Sequence, residues 1–129
     1  MATITPTFTL TSTDAFDNQD LSLSVTDSLS VTNPMADASR ISAATSGTAI
    51  FGTGQAVITY VYVKHTGLLA SDGTTSTTNV LTVKDAGGAS HATLQAGEFC
   101  FFPLPASEGL TLTSTTAAVL AEYAYFSKA

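Results

Sequence analysis

Charge is scarce in this chain: 11% of residues carry one, and the basic side consists of Lys64, Lys84, Lys128 and Arg40 against ten Asp and Glu. Holding a nucleic-acid backbone requires clustered Lys and Arg that displace counterions, so no nucleic-acid partner is expected. The imbalance is concentrated early, since residues 1–40 hold five Asp and one Arg, a net −4 of the total −6. Cysteine is nearly absent: Cys100 stands alone, which rules out an internal disulfide and a thiolate zinc cluster. His65 and His91 are the two imidazoles, too few for a metal site built from three or four convergent ligands, and no metal, cofactor or catalytic residue is expected. There is no Gly-x-Ser-x-Gly elbow, and Gly52-Thr53-Gly54 has no third glycine at the spacing of a phosphate cradle. There is no 18-residue apolar run and no basic-then-apolar leader, so no membrane partner is expected and the chain is expected to be made and to fold in a cytoplasm.

What is abundant is threonine and serine, together more than a quarter of the chain, beside 44% hydrophobic residues. Threonine suits the wet face of a half-buried strand, so this mixture favours sheet over helix and over disorder. At 129 residues and 13.2 kDa one core is affordable, and residues 1–129 are expected to form a single domain.

Period-2 alternation marks the strands. Ile4, Phe8 and Leu10 share one parity with threonines on the other, and Pro6 confines this segment to an edge or an extended arm over residues 1–13. Thr13 to Asp20 reads as an acidic loop, after which Leu21, Leu23, Val25, Leu29 and Val31 again share one parity; a turn is expected at Pro34. From Gln55 to His65 both faces are apolar, the mark of a central strand between packed layers. Gly67 to Thr78, with Asp72-Gly73, reads as a mobile surface loop. Short strands follow around Val80–Val83, His91–Gln95, Phe99–Phe102, Leu110–Leu112 and Val119–Phe126, separated by turn signals at Gly87-Gly88 and Gly97. The architecture predicted is all-β: an antiparallel β-sandwich or jelly roll of about eight strands with an extended N-terminal segment.

Few groups remain that could carry chemistry. Asp14, Asp17 and Asp20, with Asn18 among them, could offer oxygens to calcium, but the spacing is not that of an EF-hand loop, and solvated loop acids are the reading adopted. Cys100, between Phe99 and Phe101, is expected to be an inert core thiol. The conspicuous set is Tyr60, Tyr62, Tyr123 and Tyr125, whose apolar bodies and wettable phenols suit a core rim or an interface. Together with Ile4, Phe8 and Leu10 they form the expected interface set. Strand addition of Ala2 to Thr11 onto a neighbouring subunit is the expected use of the arm.

From Tyr60 onward the chain resembles small β-sandwich virion proteins of tailed bacteriophages. The resemblance rests on the order Tyr60-Val61-Tyr62-Val63-Lys64-His65-Thr66-Gly67, then Val80-Leu81-Thr82-Val83, then Leu94-Gln95-Ala96-Gly97-Glu98-Phe99-Cys100-Phe101-Phe102-Pro103, then Ala121-Glu122-Tyr123-Ala124-Tyr125-Phe126. It implies a virion structural protein, synthesised in the host cytoplasm, and above all a head decoration or cement protein that bridges major capsid subunits. A tail, neck or fibre-associated protein is the alternative, and a glycan-binding module the alternative of another class. The partners implied are the major capsid protein or other virion proteins, and further copies of the chain in a homo-oligomer, a trimer among the options.

Overall fold

The computed structural model describes residues 2–15, 17, 19–32 and 37–129. The turn expected at Pro34 and the Asn18 side chain fall outside these residues. Twelve strands and no helix are found among them: β1 (Ala2–Ile4), β2 (Thr7–Ser12), β3 (Leu21–Thr26), β4 (Leu29–Val31), β5 (Asp37–Ala43), β6 (Thr48–Phe51), β7 (Thr59–Leu69), β8 (Leu81–Lys84), β9 (Ser90–Leu94), β10 (Phe99–Leu104), β11 (Leu110–Ser114) and β12 (Val119–Ser127).

The last eight strands form two four-stranded sheets, ordered β10-β7-β12-β5 and β6-β11-β8-β9. Outgoing strands β5, β6, β7 and β8 pair antiparallel with returning strands β12, β11, β10 and β9. This is a long hairpin rolled up on itself, a jelly roll. The alternation seen in the sequence is what allows it, because each strand sends one parity inward. Val61, Val63, Leu81, Val83, Leu110, Leu112, Val119 and Ala121 are all fully buried and make up the core.

The first four strands belong to neither sheet. The β1–β4 and β2–β3 pairings keep one unbroken register from Ala2↔Val31 and Ile4↔Leu29 through Phe8↔Val25 and Leu10↔Leu23 to Ser12↔Leu21. They are therefore one ribbon, interrupted where Pro6 has no N–H to give and its carbonyl accepts from the Asp27 amide at 3.1 Å. The extended segment expected over residues 1–13 is thus two strands paired within the chain, with one edge of each taken up by β4 and β3. The base of the ribbon is held by the C-terminal tail: the Thr32 amide donates to the Ser127 carbonyl and the Ala129 amide to the Ser30 carbonyl, each at 3.0 Å, and Val31 bridges to Lys128.

Two expectations change on inspection. The strand read from Gln55 to His65 starts at Thr59 and leaves Val57 and Ile58 42% and 37% exposed. Its partners run out there, since Thr59 pairs with Leu104, the last residue of β10, and with Ser127, the last of β12. The segment read as a mobile loop from Gly67 is instead tied back, with the Leu69 amide bonded to the Thr75 carbonyl at 2.8 Å and the Thr77 amide to the Gly67 carbonyl at 2.9 Å. Inside this loop Asp72 accepts from the Thr74 and Thr75 amides, 2.9 Å each, and from the Thr75 hydroxyl.

Gly109 sits at φ +69, and a Cβ there would lie 2.8 Å from the Ala86 Cβ and 3.2 Å from the Phe51 carbonyl, so Gly109→Ala should cost about 1–3 kcal/mol in urea denaturation. The hydrogen bonds from Thr75, and then from the Thr74 amide, hold the Asp72 carboxyl down at about 2. A carboxyl depressed in the folded state stabilises it when ionised, fully above its unfolded value near 3.8, and this stabilisation is lost as pH falls toward 2. The melting temperature of Asp72→Ala should therefore lie below that of the parent at pH 7, and the gap should narrow as pH falls from 4 through 2; a gap independent of pH would assign the effect to loop geometry alone.

Candidate functional site

The ribbon separates its side chains by chemistry. One face carries Phe8, Leu10, Leu23 and Val25, and the other carries Thr7, Thr9, Thr11, Ser22, Ser24 and Thr26, with the Thr7 and Thr26 hydroxyls 3.2 Å apart. In a sheet with a packed partner the apolar face would be buried. Here Phe8, Leu10, Leu23 and Val25 are 47%, 44%, 54% and 58% exposed, whereas Ile4, Leu29 and Val31 at the base are half-buried or buried. A two-stranded hairpin alone is marginal in water, so an apolar face of this kind marks a contact surface.

The second part of the site is the outer face of the β10-β7-β12-β5 sheet. Register sets Phe99 beside Lys64, Phe101 beside Tyr62, and Pro103 beside Tyr60, and continues across β12 to Glu122, Ala124 and Phe126. All alternate with the buried Val61 and Val63, so they point away from the core. Tyr60 lies near the Phe101 ring, 6.4 Å between centroids, and Tyr62 near Phe99 at 6.5 Å. Burial, and then the Glu122 carboxylate, push the Tyr62 phenol up. Arg40 reaches Glu122 at 3.3 Å on the same face.

Ribbon and sheet face are brought together. Phe8 and Val25 on one side, and Tyr60, Phe99 and Phe101 on the other, line a groove of about 730 Å³ that Pro6, Asp27 and Leu29 also line. Of the expected interface residues, Ile4 anchors the base, Phe8 and Leu10 stand on the ribbon, and Tyr60 and Tyr62 stand on the sheet face. Tyr123 and Tyr125 are not part of this surface. They pair with Val63 and Val61 on the inner side of the sheet, and Tyr125 meets Phe51 of the opposite sheet, centroids 4.7 Å apart. Leu23, Val25, Phe99 and Phe101 belong to the site although they were not among the expected residues. The parity of Leu21 to Val31 was visible, but only the register shows that it faces Phe8 and Leu10.

The two histidines singled out from the sequence are engaged structurally. The fully buried His65 accepts from the Gly67 amide through Nδ1 at 2.9 Å and donates through Nε2 to the Asn79 carbonyl at 2.8 Å. His91 meets Asp85 at 3.2 Å and stacks on Phe102. The Ala89 amide, and after it His91, hold the Asp85 carboxyl below the usual carboxylate range against the opposing effect of burial. This pair closes the β8–β9 hairpin. Among the described residues no three His, Cys, Asp or Glu gather where a metal could bind, and no helix is long and apolar enough to cross a membrane.

No protein-family model and no curated protein matches the chain. Among solved structures, a chain of the disulfide-linked pili formed by Bacillus endospore appendages is similar. The identity is 13%, over 73% of this chain and 86% of that one, with a TM-score of 0.44.

Cys100 lies at the wall of the groove, yet burial pushes its thiol up to about 11 from an ordinary 9. The thiolate fraction near neutrality is then about a hundredfold smaller than for a free thiol. Iodoacetamide at pH 8 should alkylate Cys100 at least ~100-fold more slowly in the native protein than in urea, as read by mass spectrometry; equal rates would show an open, ionisable thiol.

Proposed function

We propose that this chain is a non-catalytic structural subunit of a tailed-phage particle, a head decoration or cement protein that works by presenting surface to its neighbours and bridges major capsid subunits. The observation that supports the assembly part of this reading is the ribbon. An apolar face held out on a two-stranded hairpin, over an aromatic sheet face, is costly in a solitary protein and useful in a packed array. The scarcity of charge acts in the same direction, because fewer ions need desolvating at each contact. The resemblance of the second half to small virion proteins supports the particle part, with tail, neck or fibre attachment as the alternative placement. The Tyr62 and Phe99 rings beside the Arg40–Glu122 pair favour a second reading as a glycan platform, since aromatic faces flanked by polar groups stack on sugars.

The deciding experiment is quantitative mass spectrometry of purified particles together with cryo-EM of the head. Copies in proportion to capsid subunits, located on the shell, are expected. A handful at one vertex would move the protein to the tail, and absence from particles, with sugar binding by the isolated chain, would replace the proposal with the glycan reading.

A further inference from the structure

The groove between the ribbon and the sheet face has largely apolar walls, an open top and no occupant among the described residues. We infer that its occupant is the β2–β3 ribbon of a second copy of this chain, so that copies join head to tail through these two surfaces. The inference rests on the reading of the protein as an assembly subunit and specifies how its copies meet.

Charge selects this arrangement over its competitors. Residues 1–39 hold five Asp and no Lys or Arg, and Asp17 and Asp20 lie in the loop at the ribbon's tip. Packing two ribbons on each other would therefore oppose like charges. Asp27 is the acid in the groove lining, but the sheet face beside it offers the opposite sign: Lys64 is the register partner of Phe99, and Arg40, paired with Glu122 at 3.3 Å, lies two strands further across. These are two of the four cations in the chain, set against Glu122 on that face. A six-residue strand spans about 20 Å, and three strand spacings span about 14 Å. A ribbon seated with Leu10 and Leu23 against Phe99 and Phe101 can thus bring its acidic tip to the cations.

One ribbon face measures about 20 Å by 10 Å, small beside the ~800 Å² that each partner contributes to a stable interface; the groove walls add to it, and each contact is weak singly, so association is to be read at high protein concentration. A head-to-tail contact of this type is heterologous and closes into a ring when its rotation allows.

Two variants separate donor from acceptor. Leu10→Glu with Leu23→Glu disables the ribbon, and Phe99→Glu with Phe101→Glu disables the face; circular dichroism and thermal melting establish that each remains folded. Light scattering after size exclusion should show the parent as a multiple of 13.2 kDa and each variant alone as a monomer. An equimolar mixture should form a 1:1 heterodimer and nothing larger, since one intact ribbon meets one intact face. Lys64→Glu in the parent, a milder change, should weaken association up to about fivefold. Self-association of the face variant alone would establish ribbon-on-ribbon pairing and overturn the inference, as would a parent that is monomeric at high concentration. A monomeric parent that is still found in many copies on particles would overturn the inference while leaving the functional proposal standing.

Discussion

The antiparallel ladder between β7 and β12 carries the structure. It runs from Thr59↔Ser127 to Val119↔Leu69, and each of its strands has a second neighbour, β10 on one side and β5 on the other. Its inward residues, Val61, Val63, Val119 and Ala121, are fully buried and hold the second sheet in place. Its outward residues, Tyr60, Tyr62 and Phe126, supply the aromatic face. Where the ladder stops, Lys128 and Ala129 continue past it and grip β4, so the position of the ribbon depends on the same pairing.

The contrast between ribbon and sandwich comes from the number of neighbours. In the sandwich the two sheets face each other, and one parity of the central strands is removed from water. The upper ribbon has the same alternation and no facing sheet, so the same sequence logic leaves Phe8, Leu10, Leu23 and Val25 in solvent. Burial worth about 25 cal/mol per Å² of apolar surface is left unused there, and contact with another surface would recover it. The base is different because the sandwich covers it: Val31 is 2% exposed.

The sheet face behaves in a related way. Outer faces of sandwich strands are commonly polar, and β11 follows that rule with Thr111 and Thr113 between buried Leu110, Leu112 and Ser114. The β10-β7 pair departs from it, placing Phe99 and Phe101 beside Lys64 and Tyr62. Among the sandwich strands the exposed Phe side chains lie on the face that the ribbon overhangs, which is why the groove is read as a site.

The all-β character and most strand positions were legible in the sequence, because a period of two is imposed by the pleat itself and needs no knowledge of partners. That burial would push the Cys100 thiol up was legible for a similar reason, since its apolar neighbours are adjacent in the chain. Pairing was not legible. That Phe8 stands opposite Val25, that Tyr60 and Tyr62 face outward while Tyr123 and Tyr125 face inward, and that β7 begins at Thr59 are consequences of register and of where partner strands end. Alternation along one strand states only that two faces differ. Which face meets the core depends on contacts between residues far apart in sequence, and those exist only once the hairpin has rolled up.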